Sequence, residues 1–390
     1  MLVEGEADKL VMVPGPTPVH REILDALAEP TIWHGSQALA ATIRSCQHGL
    51  RAAAGSRDAA VFVFAGSGTL AQEAALVNLV GQGQRLLVVS NGHFGDRFAA
   101  IADAHGLPAD RLAASWGTTV SAEQLADRLE EERYDAVAIT HVDTSTGTAA
   151  PIAAMSHVAR ASGALVIVDT VCSLGGMPVD MDRNEIDVVL SGAQKALGVP
   201  PGLSVLLLSE RALARRRSLG KISAYYADLL NWEASMEDPT IYFSTHAVNL
   251  FYALAAALQI IEAEGAAERF ARHERLAQAF RAGCETLGFE IVTDPSCRAP
   301  TLSVLRYPAG VADEPFRAAL GEYGVVAAGN LGALKGHGCR FGHMGNITEP
   351  DILRTLAAVE GALQESGALR ADRGASLAAA CRAVPELVSP

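Results

Sequence analysis

Apolar residues gather in short runs at 59–64, 85–90, 136–140, 164–168, 187–190 and 203–208. Each run is too short for a helix and too continuously apolar for a strand with one wet face. Each therefore predicts a strand buried on both sides. Between them, 70–80, 96–104 and 152–162 carry apolar residues at helical spacing. This alternation predicts β-α-β units, and so an α/β fold with a mostly parallel sheet covered by helices. Upstream, an apolar entry at 10–13 runs into Pro14-Gly15-Pro16-Thr17-Pro18, which suits neither a helix nor a central strand and reads as a rigid loop. Helical patterns follow at 19–29 and 36–54.

The pattern changes after residue 245. Two long helices, 249–263 and 266–287, precede short strands at 290–292, 301–305 and 339–341, with helices at 313–323 and 349–365. This predicts a smaller C-terminal α+β domain. The expected division is an N-terminal segment 1–20 that contributes to the active site and a large domain 21–245. A long interdomain helix with the small domain would occupy 246–368, and 369–390 a tail read as a loosely docked helix.

Composition narrows the picture. Nearly half of the 390 residues are apolar, enough for a large core, and the net charge is −13 with the acids spread along the chain. A polyanion-binding surface needs clustered Lys and Arg, so no nucleic-acid partner is expected. The one basic run, 211–217, falls in a helical pattern and reads as a solvated face. No leader-like start and no apolar stretch of membrane-spanning length is seen, so no membrane partner is expected. The six cysteines are scattered without a CxxC pair, which fits reduced thiols in a cytoplasm. No metal site is expected.

In open α/β sheets, ligands sit beyond the carboxyl ends of the strands. After 59–64 comes Gly66-Ser67-Gly68-Thr69 and then a helix, a combination that can cradle a phosphate. Gly66, Gly68 and Ala71 also satisfy a dinucleotide pattern, but the second strand ends Ser90-Asn91-Gly92, without the acid a ribose needs. Phe94 lies between glycines in the predicted loop 91–95, where it could stack on a flat ring. Thr144 lies in the polar stretch after 136–140. Asp169 ends a wholly apolar strand, where a carboxylate is costly without a positive partner, such as a protonated ring nitrogen. Lys195 follows the next strand, among small residues and ahead of Pro200-Pro201-Gly202. A lysine so placed can attack a carbonyl.

These residues belong to longer stretches that occur in one order: PGPTPV at 14–19, GSGTLAQEAAL at 66–76, NGHFGDR at 91–97, THVDTSTGT at 140–148, VDTVCSLGG at 168–176, SGAQKALGVPPG at 191–202 and RFGHMG at 340–345. Together they resemble the class V, fold-type I aminotransferases that use pyridoxal phosphate, in the alanine–glyoxylate and serine–glyoxylate or serine–pyruvate branch. The resemblance implies a Schiff base between Lys195 and the cofactor, with Lys195 also carrying the proton. Asp169 would pair with the pyridine nitrogen, Val171 and Phe94 would flank the ring, and Thr144 would bond its phenolic oxygen. Many relatives carry Trp in place of Phe94. Ser67, Gly68, Thr69 and Gln194 would hold the phosphate, joined by Tyr242 and Thr245 from a neighbouring subunit, which implies a homodimer with shared active sites. Arg340 would bind the substrate carboxylate, with Gly15 beside the substrate.

The activity implied is transfer of an amino group from alanine or serine to glyoxylate or pyruvate. Other readings of the same fold are a different donor (aminoethylphosphonate, pyridoxamine or aspartate), a lyase or cysteine desulfurase using Cys339 or Cys172, and a catalytically silent binding protein. His343-Met344, where some relatives have an apolar pair, leaves the substrate open.

Overall fold

The computed structural model describes residues 8–388. The first seven residues of the predicted N-terminal segment and the last two of the tail lie outside them. The predicted strands form one seven-stranded sheet from β1 (Ala60–Ala65), β2 (Leu86–Ser90), β3 (Ala109–Ala113), β4 (Ala136–Thr140), β5 (Leu165–Asp169), β6 (Val188–Gly192) and β7 (Leu203–Leu208). Their spatial order is β1-β7-β6-β5-β4-β2-β3, and only β7 runs antiparallel to its neighbours.

The apolar runs are continuous because both faces are covered. Along β5, Val166 and Val168 pack into one core layer and Leu165 and Ile167 into the other, the two-residue period of a strand. Ile167 is fully buried, and cutting such a side chain to alanine costs about 2–5 kcal/mol. The strand β3 escaped the sequence reading. It is an edge strand, its residues alternate between exposed and half-buried, and it shows no apolar run.

A second, antiparallel sheet holds β8 (Glu290–Ile291), β9 (Leu302–Arg306), β10 (Ala328–Gly329) and β11 (Gly338–Gly342) in the order β8-β9-β11-β10. Helices α1 (Gly68–Leu79), α2 (His93–Ala104), α3 (Val248–Glu264) and α4 (Ala266–Thr286) matter most for the site. The chain bends by 88° between α3 and α4. The N-terminal segment threads between the sheets. Leu10–Val11 pairs with Val325–Val326, the Gly342 N–H donates to the Met12 carbonyl at 2.7 Å, and the Thr17 N–H donates to the Gln194 carbonyl at 3.1 Å.

Two expectations are corrected. The basic run lies on the helix Glu210–Ser218, but its Arg216 is buried, forked onto Asp228 at 2.8 Å to both carboxylate oxygens. The tail is not loose. Its helix Ala375–Ala383 buries Ala380 completely, and the Glu360 carboxylate accepts from the Gly374 and Ser376 N–H groups at 2.7 and 2.9 Å.

Candidate active site

The carboxyl ends of β1, β4, β5 and β6 open on one pocket. Ser67, Gly68, Thr69, Phe94, Thr144, Asp169, Val171, Gln194 and Lys195 all line it, together with Gln72, Arg97, Val142 and Cys172. Nine residues singled out from the sequence thus meet in space, although they span 129 positions of chain.

Lys195 lies three residues beyond β6. Its Nζ donates to the Pro14 carbonyl at 2.5 Å, which ties the amine to the N-terminal segment. Gly15 lies against the lysine stem. Its φ is +124°, and a Cβ there would collide with Lys195 Cδ. The pairing of lysine and N-terminal loop therefore requires glycine.

Asp169 is the last residue of β5 and only 4 % exposed. Its carboxylate accepts from the Val171 N–H at 2.8 Å and from Gln72 Nε2 at 2.7 Å. Among the described residues no cation is bonded to it. Burial pushes its pKa up to about 6, against the opposing pull of the two donors. A positive group entering the pocket would satisfy it.

Helix α1 starts at this pocket. The Ser67 hydroxyl accepts from the Leu70 N–H at 3.4 Å, so it caps the helix, while the first-turn N–H groups have no acceptor within the helix. The dipole and these donors favour an anion. A Cβ on Gly68 would come within 2.8 Å of Val171 Cγ2. Gly68→Ala is expected to weaken binding of a pocket ligand about tenfold, roughly 1.4 kcal/mol, through displacement of Val171. Fluorescence titration of the cofactor-free protein measures this.

Phe94 is not in a loop. It lies in the first turn of α2, which begins three residues before the predicted start. The cap comes from far along the chain: Asp143 Oδ2 accepts from the N–H groups of Phe94 at 2.9 Å and Gly95 at 3.0 Å, and Ser145 Oγ accepts from the His93 N–H at 2.9 Å. With the helix started there, Arg97 lies one turn above Phe94. Its guanidinium sits 4.7 Å from the ring centroid and donates to Thr69 Oγ1 at 2.9 Å.

Arg340 lies on β11 and donates to the carbonyls of Gly329 at 2.9 Å and Thr144 at 3.1 Å. It is mostly buried, and among the described residues it makes no ion pair. Burial lowers its pKa from the ordinary arginine value. Tyr242 and Thr245 stand apart from the pocket on an exposed segment, where the Tyr242 ring lies 5.1 Å from that of His34.

The family model "Aminotransferase class-V" matches residues 22–354. The chain belongs to that family. Its relatives include an uncharacterized aminotransferase of Methanocaldococcus jannaschii, 39% identical over 92% of this chain and 94% of the other. They also include the alanine–glyoxylate aminotransferase of Drosophila melanogaster, 31% identical over 92% and 93%. The crystal structure of ureidoglycine–glyoxylate aminotransferase from Bacillus subtilis superposes with a TM-score of 0.93 at 27% identity, covering 97% of this chain and 98% of that one. Class-V aminotransferases depend on pyridoxal phosphate, and the fold is theirs. The pocket suits that group: an amine for its aldehyde, a buried carboxylate lacking a cation for its ring nitrogen, and a helix start for its phosphate.

The thiols do not suit a desulfurase. Cys339 is fully buried in β11, and burial pushes its pKa up to about 12; Cys172 lines the pocket, but burial raises its pKa to about 11. Burial disfavours the thiolate form of both. His343 and Met344 are also fully buried, with His343 Nε2 bonded to Ser303 Oγ at 2.9 Å. Three pocket residues were missed: Gln72, Arg97 and Val142. Gln72 was readable, since it lies four positions past Gly68 on one helix face. Arg97 was not, because its place depends on where α2 begins.

Proposed function

We propose that this aminotransferase moves an amino group from alanine or serine to glyoxylate or pyruvate, and that Lys195 holds the cofactor covalently as a Schiff base. The observation that carries the reading is the position of the Lys195 amine in one pocket with the unpaired carboxylate of Asp169. Bound there, pyridoxal phosphate supplies an electron sink for the bond electrons of the substrate Cα–H. Asp169 holds the ring nitrogen protonated. Phe94 and Val171 would flank the ring, with Arg97 stacked on Phe94 in the same pocket. Thr144 donates to the phenolic oxygen. Ser67, Gly68, Thr69 and Gln194 receive the phosphate at the start of α1. Lys195 would take the proton from the substrate Cα and return it on the cofactor side.

Arg340 orients the substrate by binding its carboxylate, beside Gly15. Its guanidinium is held by two carbonyls and has no acid partner among the described residues, which supports that role. Arg340→Lys loses the fork, so KM for the amino donor is expected to rise roughly tenfold to a hundredfold while kcat changes little. Steady-state kinetics measure the split.

The chain is proposed to work as a homodimer. Trp33, Tyr225 and Tyr242 are 71, 77 and 62 % exposed, an unusual outlay of aromatic surface. A second copy seated there would bring its Tyr242 and Thr245 to the phosphate. The six unpaired cysteines support a cytoplasmic setting.

Both named glyoxylate enzymes above support glyoxylate as acceptor. A spectral titration tests the reading. Loaded enzyme is mixed separately with alanine, serine, aspartate, aminoethylphosphonate and pyridoxamine, and the cofactor absorbance is followed. Alanine or serine should convert the band, and glyoxylate or pyruvate should restore it. If no amino donor converts it, the proposed transfer is wrong.

A further inference from the structure

Three segments carry the chemistry: the chain after Asp169, the chain after Lys195, and the chain after Arg340. Each continues into a turn that meets the first two turns of α4. Arg269, 1 % exposed, donates from Nε to the Gly175 carbonyl at 2.7 Å and from Nη2 to the Ala196 carbonyl at 2.8 Å. Arg272 donates to the Gly345 carbonyl at 3.0 Å and to the Ile347 carbonyl at 2.6 Å. His273, fully buried, bonds the Gly176 carbonyl through Nδ1 at 2.9 Å and accepts from the Gly345 N–H through Nε2 at 3.0 Å. Glu264, at the end of α3, pairs with Arg269 at 2.7 Å and Arg272 at 2.6 Å and so orients both forks.

We propose that Arg269, Arg272 and His273 are positioning residues that fix the Arg340 strand against the Asp169 and Lys195 turns, and thereby set where the substrate carboxylate lies relative to the cofactor. The inference rests on the reading of Arg340 as the carboxylate anchor. None of the three residues lines the pocket, so none is a catalytic residue. Their targets are almost all backbone carbonyls on either side of the cleft, and a helix is a stiffer spacer than a loop. Turns held by charged donors lose little freedom when substrate arrives. Only a singly protonated imidazole can donate to one carbonyl and accept from one N–H at once, so His273 carries its proton on Nδ1. Burial, with Arg269 and Arg272 nearby, lowers its pKa to about 3, which keeps it in that neutral form across the working range. The strap therefore has no pH switch of its own.

The test compares the loaded wild-type enzyme with Arg272→Lys and His273→Ala. Each is mixed rapidly with an amino acid donor and, separately, with the matching amino alcohol, which keeps the amine and lacks the carboxylate. The apparent dissociation constant of the amino acid is expected to rise roughly tenfold to a hundredfold in both variants, with that of the amino alcohol unchanged. Equal weakening of both ligands, or no change in either, overturns the proposal. Arg272→Lys keeps a charged, half-buried side chain and so guards against a folding defect in His273→Ala. A second readout needs no turnover. In the cofactor-free protein, amide hydrogen exchange across 340–347 should quicken in both variants, and unchanged exchange overturns the strap by itself. A wild-type enzyme that answers to no amino acid would sink the proposed transfer while leaving the exchange result to decide the strap.

Discussion

Lys195→Ala is expected to lower amino transfer by about a thousandfold or more, while the protein stays folded and still binds its cofactor. The loss follows from two duties on one amine. In this account it is both the covalent attachment point and the group that moves the proton between Cα and C4′, and among the described residues no other amine lines the pocket. Folding should be nearly untouched, because among the described residues the Lys195 Nζ makes one hydrogen bond, to the Pro14 carbonyl. Cofactor should remain held through Asp169 and the start of α1. Single-turnover kinetics with absorbance detection measure the rate, and dialysis shows whether the cofactor now leaves freely. A variant that turns over at the wild-type rate would remove Lys195 from the mechanism.

The Asp169→Asn variant should show opposite effects on stability and on cofactor binding. In the cofactor-free protein the carboxyl pKa is raised to about 6 by burial, above its unfolded value. A raised acid binds more protons folded than unfolded between about pH 4 and 6, so its ionisation removes stability as pH rises through that window. At neutral pH the cost is about 3 kcal/mol. Asparagine carries no charge. Gln72 can accept it by turning its amide, since Gln72 Oε1 has no partner among the described residues and can take a bond from the new amide. Cofactor-free Asp169→Asn is therefore expected to be more stable than wild type at pH 7 and no more stable near pH 4. The loaded variant should bind pyridoxal phosphate more weakly, with amino transfer lower by about a hundredfold or more, because the ring nitrogen loses its counter-ion. Thermal melts at the two pH values, with and without cofactor, read both effects. A variant less stable than wild type at pH 7 in the cofactor-free state would refute the electrostatic account of this site.

Much of this was legible in the sequence, and the gaps have physical causes. The central strands show as apolar runs because both of their faces are buried, and reactive residues at their ends follow from the way a parallel sheet opens at one edge. Hence Asp169, Lys195 and the Gly66–Thr69 turn could be found without coordinates. The strand β3 could not, because an edge strand needs no apolar face on its outer side. The start of α2 could not either. Its cap, Asp143, lies 49 residues beyond Phe94, and no local pattern announces a cap delivered by another strand. Without that start, the stacking of Arg97 on Phe94 has no basis. His343 and Met344, the departure that left the substrate open in the sequence, are both packed into the interior. Arg216 misled because a run of arginines looks solvated until one meets an aspartate such as Asp228.

The central claim is that Lys195 carries the cofactor, and borohydride trapping tests it most directly. The chain's lysines are Lys9, Lys195, Lys221 and Lys335. Loaded enzyme would be reduced, digested and analysed by mass spectrometry. The account predicts the reduced cofactor mass on the peptide containing Lys195 and on no other lysine. Cofactor found on a different lysine, or on none, would contradict it.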